Sequence, residues 1–159
     1  MTPAPTQIER AEEAILELAK GALDATFRIE LFPEDPDGFE FAGTARCALL
    51  QYRGSTYGES DGFDRNQERD VTFDLHLVYA ASGAGEAYPH RPIKDIERLR
   101  LALQGAEVEG GHLRWKRDGL AEQQAGRRVY RAELGLVLTS VARTRPALQP
   151  IMNFERGAE

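Results

Sequence analysis

From Gln67 to Ala80 apolar and polar side chains alternate over a long stretch. Val71, Phe73, Leu75, Leu77 and Tyr79 fall on one side, and Asp70, Thr72, Asp74 and His76 on the other. A two-residue period sustained this far indicates a half-buried β-strand, because the apolar residues of a helix return every three or four positions. Arg128 to Val141 repeats the pattern, with Tyr130, Ala132, Leu134, Leu136 and Leu138 opposite Val129, Arg131, Glu133 and Val137. At ~3.3 Å per residue, a strand of about fourteen residues spans roughly 46 Å, whereas strands usually run ~5–6 residues. Either such strands bend and break, or their ends run beyond the domain and meet other chains.

The remaining elements fit around these two strands. Thr6-Gln7-Ile8-Glu9 reads as a capping box, and Ile8, Ala11, Ile15, Leu18 and Ala22 follow at helical spacing, with Glu12, Glu13, Glu17 and Lys20 on other faces. Phe27, Ile29 and Leu31 alternate with Arg28 and Glu30 as a short strand, and Pro33 to Gly38 is rich in turn residues. Ala45 to Tyr52 is apolar on both faces, as a central strand is, and Arg53 to Asn66 reads as a polar loop. Ser82 to Gly85 breaks the chain; Pro92 then opens a second amphipathic helix through Ile93, Ile96, Leu99 and Leu103, ended by Gly105. Leu113 to Lys116 reads as a strand and Asp118 to Gly126 as a loop. The order α-β-β-β-α-β-β, with sequential strands pairing antiparallel, predicts an α+β two-layer sandwich: a mostly antiparallel mixed sheet flanked by two helices. Residues 1–141 form one domain, and 142–159, with two prolines and no period, an extended C-terminal arm.

A chain of 159 residues is long enough to bury a core without a metal or disulfide staple. Its one cysteine, Cys47, has no partner for an internal disulfide, which fits a reducing compartment. No signal-peptide pattern opens the chain, and no apolar run approaches a membrane span. The net charge of −6 argues against free attraction to nucleic acid. The charge is also unevenly distributed. Residues 1–40 hold ten acids against Arg10, Lys20 and Arg28, whereas residues 81–159 hold thirteen Arg and Lys against ten Asp and Glu. An acidic and a mildly basic end suit either a solvated surface or head-to-tail packing, in which unlike patches of neighbouring copies close a ring.

A search for chemistry finds no site. Gly54-Ser55-Thr56-Tyr57-Gly58 misplaces the serine of a nucleophile elbow. Asp74 and His76 share a strand face, but no third metal ligand lies near them, and a surface or interface pair is the better reading. Gly83-Ala84-Gly85 lacks the third glycine of a dinucleotide loop. His90 and His112 lie in loop-like contexts. Trp115 sits among Arg114, Lys116 and Arg117, where it can stack on a base but serves more naturally as a sheet residue or interface anchor. No enzyme activity, cofactor or metal is expected.

Tyr52-Arg53-Gly54-Ser55, a polar loop, and Gln67-Glu68-Arg69-Asp70-Val71-Thr72-Phe73-Asp74-Leu75 together resemble the Mu-like phage tail-terminator family. The acidic first helix, the Glu34-Asp35-Pro36 turn and the Ile93–Leu103 helix followed by Gly105 and a strand add to the likeness, which covers residues 6–141. The final strand, Arg128-Val129-Tyr130-Arg131-Ala132, is less aromatic than the family's. The resemblance implies a fold similar to the terminators of lambda-like phages. It also implies a homo-oligomeric, usually hexameric, ring that caps the tail tube, stops its growth, and joins it to the connector or neck protein. In a contractile tail it also meets the sheath protein. The protein would then be found in the virion, at the tail and neck, and in the host cytoplasm during assembly. Another neck or tail-completion ring is the nearest alternative; a ligand-binding domain or an enzyme is a more distant one.

Two sets of residues follow from this reading. Arg53, Arg69, Arg128 and Arg131, on or beside the long strands, and Trp115 are expected at subunit interfaces, where arginine and tryptophan are favoured. Glu59, Asp61 and Asp64 are expected to face a lumen through which DNA passes unbound, since cationic walls would hold phosphates.

Overall fold

The computed structural model describes residues 2–35, 46–59, 66–80, 91–124 and 126–141. In chain order the elements are α1 (Gln7–Ala22), β1 (Arg28–Leu31), β2 (Arg46–Tyr57), β3 (Asn66–Ala80), α2 (Pro92–Leu103), β4 (Glu107–Val108), β5 (Gly111–Gln124) and β6 (Arg127–Val141). The six strands form one sheet in the order β1-β2-β3-β6-β5-β4. The architecture is the expected α+β one, a mixed sheet with its helices flanking it.

β3 and β6 occupy the centre because both are apolar at every second position along their length. They pair without a register shift from Asn66↔Val141 to Ala80↔Arg127. Their inward residues (Val71, Phe73, Leu75, Leu77, Ala132, Leu134, Leu136 and Leu138) are buried together with Ala48, Leu50 and Leu113. The helices close this core. Ala11, Ile15 and Ala19 recur every fourth residue of α1, and Ile96, Leu99 and Leu103 line one side of α2. Thr6 caps α1: its side chain accepts from the Glu9 N–H, and the Glu9 carboxylate accepts from the Thr6 N–H. Tyr79 joins sheet to helix. It is buried, meets Phe27 and Tyr130 edge to face, and donates to the buried Asp95 of α2 at 2.8 Å.

The structure departs from the sequence expectations at several places. Most of the differences lie in the strands. β2 runs on through Tyr57 and β5 through Gln124, where loops beginning at Arg53 and Asp118 were expected. Both strands carry bulges, and a bulge interrupts the two-residue period without ending the strand. The register shifts between Tyr52 and Gly54, between Trp115 and Arg117, and between Leu120 and Glu122. Gly54 has φ +140°, a conformation costly for a side-chain-bearing residue.

β4 is additional to the expected order. It is too short to show a period, and it joins β5 through Glu109-Gly110, both at positive φ, as two-residue hairpin turns require. β1 pairs with β2 in parallel, against the expected antiparallel pairing of sequential strands. Ile93 is exposed, although its spacing put it on the apolar side of α2. The Ser82–Gly85 break, His90 and the C-terminal arm lie outside the described residues, and His112 lies on β5 rather than in a loop. No described helix is long and apolar enough to cross a membrane.

A charged basin on the sheet face away from the helices

The alternation that buries Val71 to Leu77 sends Asp70, Thr72, Asp74 and His76 to the opposite face, together with Arg131 and Glu133 of β6. Toward the β1 end this face is apolar: Cys47, Leu49, Val78 and Val129 form a small buried cluster against Phe32. Toward the other end it opens into a polar basin of about 430 Å³, lined by residues of β2, β3, β5 and β6.

Two bulges supply three of the region's cations. In β2 the extra residue is Arg53, which extends over β3 to Asp74 at 3.4 Å. In β5 the extra residue is Lys116, so that Lys116 and Arg117 both reach Glu133, at 3.9 and 2.8 Å. Arg131 approaches Asp74 from the other side at 3.9 Å, and Arg114 pairs with Asp70 at 3.4 Å. Small residues make the room. Gly54 and Thr72 lie side by side, and a Cβ on Gly135 would meet the Lys116 stem at 2.5 Å.

Charge is layered by depth. The Asp74 side chain is 5% exposed and that of Glu133 20%, whereas those of Arg53 and Arg117 are 52% and 69% exposed. The carboxylates therefore sit beneath the guanidiniums and hold them upright, and solvent meets a cationic surface. Five cations (Arg53, Arg114, Lys116, Arg117, Arg131) share this region with three anions (Asp70, Asp74, Glu133). Beside the basin, His76 is hydrogen-bonded to Gln51 at 3.1 Å and its ring lies tilted by 50° against Phe32, centroids 5.0 Å apart. Burial lowers its pKa, Asp74 acts in the opposite direction, and Arg131 and Arg53 lower it further.

The residues anticipated at interfaces divide among different places. Arg53 and Arg131 meet in the basin. Arg69 lies on the helix-side face near the end of β3, donating to Ser55 at 2.9 Å and to the Tyr52 hydroxyl at 3.3 Å, with its guanidinium over the Tyr57 ring. Ser55, bonded also to Tyr52, is thus part of a structural network. Arg128 lies toward the opposite end of β6, paired with Tyr79 and Gln123. Trp115 faces the core, half-buried, with its indole N–H on Asp118 at 2.7 Å. Glu59 is exposed just after β2; Asp61 and Asp64 lie outside the described residues. Asp74 and His76 share a face, yet Asp74 is engaged by two arginines, and no group of three metal-ligating side chains occurs among the described residues.

Sequence reasoning did not single out Arg117 and Glu133. The bulge at Lys116 that brings them together is recognisable only where pairing with β6 resumes at Arg117↔Glu133.

The family model for Gp37 protein matches residues 18–156, from within α1 through every strand. The chain belongs to the Gp37 protein family. This family is phage-associated, so this Gp37-family chain is a phage protein. The match continues past Val141, where the resemblance noted above stops. A search of curated proteins finds no match.

Proposed function

We propose that this Gp37-family protein is a structural component of the phage tail: a terminator that forms a ring on the tail tube, stops its growth and presents a surface to the neck. The observation that carries this reading is the reach of the sheet beyond its helices. At ~1.5 Å per helical and ~3.3 Å per strand residue, α1 and α2 cover about 24 and 18 Å, while β3 and β6 run about 50 Å. Strand ends therefore extend past the two-layer core. Tyr57 is exposed toward one end, and Leu120 is exposed on the β5–β6 hairpin at the other. Apolar and aromatic surface at strand ends suits contacts between copies and with axial neighbours.

The phage association of the family and the sequence resemblance to Mu-like terminators support the same reading. In it the protein is not an enzyme, its partners are the tube, the neck and any sheath protein, and it resides in the virion. Glu59, with Asp61 and Asp64, lines the passage for DNA.

Mixing the purified protein with its tube protein and imaging the product tests this. Tubes of uniform length with an added ring at one end are expected. Tubes that grow without limit and carry no ring would refute the terminator role and favour a ring on the connector side of the neck.

A further inference from the structure

The basin is a surface of outward-facing guanidiniums on an acidic chain, and the same chain carries a matching row of carboxylates. Glu9, Glu13 and Glu17 are exposed and lie four residues apart along one side of α1. Successive members are ~6 Å apart along the helix axis, so the row is about 12 Å long. Arg53 of β2, Arg131 of β6 and Arg117 of β5 span three strand spacings, about 14 Å. Row and basin therefore agree in length as well as in sign. Like charges four residues apart weaken a helix, and no ion pair among the described residues reaches Glu13. Within α1 only Lys20 offsets the row, through Glu17 at 3.1 Å. The sheet stands between α1 and the basin, so the row cannot reach the basin of its own chain.

We propose that the Arg53/Arg117/Arg131 basin is the docking site for the Glu9/Glu13/Glu17 side of α1 on a second copy. The contact joins unlike surfaces, and a head-to-tail contact of this kind generates rings or filaments rather than closed pairs. It rests on the ring reading above and specifies which faces of the subunit meet. The buried carboxylates Asp74 and Glu133 pre-position the guanidiniums, which suits planar, bidentate capture of incoming glutamates. The bare edge of β5 is a poorer site for a neighbour, because its two bulges and the charges of Arg117, Asp118 and Glu122 obstruct strand addition.

Two charge-reversed variants test the proposal, R53E/R117E in the basin and E13K/E17K on the helix. Glu9 is left intact to preserve the cap. Far-UV circular dichroism checks folding, and the neutral R53Q/R117Q replaces the basin variant if that one does not fold. Sedimentation velocity at low salt, with and without tubes, measures association. Wild type is expected to form a ring-sized oligomer that loosens as salt rises. Each reversed variant should associate on the order of 10²-fold more weakly, and an equimolar mixture of the two should assemble again, since each supplies the other's complement. Folded variants that assemble as wild type does, or a mixture that fails to recover, would overturn this contact while leaving the ring reading intact. A wild-type chain that stays monomeric both alone and on tubes would overturn both. If the basin variant loses affinity for a DNA duplex while self-association is unchanged, the basin binds phosphate and the proposal is wrong.

Discussion

Tyr79→Phe should destabilise the protein by about 2 kcal/mol. The ring stays, so the edge-to-face contacts with Phe27 and Tyr130 are kept. What disappears is one hydrogen bond, donated at 2.8 Å to the carboxylate of Asp95, with both residues about 2% exposed. A hydrogen bond to a charged group contributes ~1.5–3 kcal/mol, and the acceptor left behind here is too buried to turn to water. Arg98 lies 3.8 Å from Asp95, but its side chain is mostly solvent-exposed, so it offsets little of the loss. Burial, followed by the hydrogen bond and charge of Asp95, pushes the Tyr79 phenol far above the ordinary tyrosine range, so the group remains a donor wherever the protein is folded. For a chain of this length the expected loss lowers Tm by roughly 4–8 °C. Urea unfolding at a concentration that avoids assembly measures it. Asp95→Ala alone should also destabilise, because it strands the phenol. The double variant should then cost less than the sum of the two, with a coupling of at least ~1 kcal/mol. A Tyr79→Phe loss under ~0.5 kcal/mol, or additive effects in the cycle, would refute the idea that this bond pins α2 to the sheet.

Three further outcomes are expected. Gly111→Ala should cost ~1–3 kcal/mol in the same unfolding assay, because its Cβ would collide with the Val137 carbonyl oxygen and crowd Leu136, and backbone there has no slack. Thr6→Ala removes the side-chain half of the capping box and should cost about 1 kcal/mol, read as the same fall in stability. His76 should make stability depend on pH in a definite direction. Its folded pKa is lowered by burial, so the unfolded chain takes up the proton first; stability holds above ~6.5 and falls as pH drops below it. His76→Gln should flatten the slope of unfolding free energy between about pH 7 and 5, and an unchanged slope would show that another group is responsible.

The long alternations of β3 and β6 and the helical returns of Ala11 and Ile15 were legible because each residue's face follows from local geometry alone. The capping box at Thr6 and Glu9 was legible for the same reason. The extensions of β2 and β5 were not, since a bulge and a strand end look alike until a partner strand shows that pairing resumes. The basin was visible only in part. Asp74 and Arg131 could be assigned to the face opposite the core, but Arg53 was read as the start of a polar loop, and the convergence of the three needed the sheet order.

Local pattern thus determined which side of each long strand is buried, where the helices begin, and that acidic and basic surfaces are separated along the chain. Only the tertiary structure decided that β6 lies between β3 and β5, that β1 joins in parallel, and that two bulges turn Arg53 and Arg117 toward carboxylates on neighbouring strands. The physical reason is that side-chain direction is a property of neighbouring residues in the chain. Strand order and register, by contrast, are set by contacts between residues as far apart as Asp74 and Arg131, whose pairing depends on how the whole core packs.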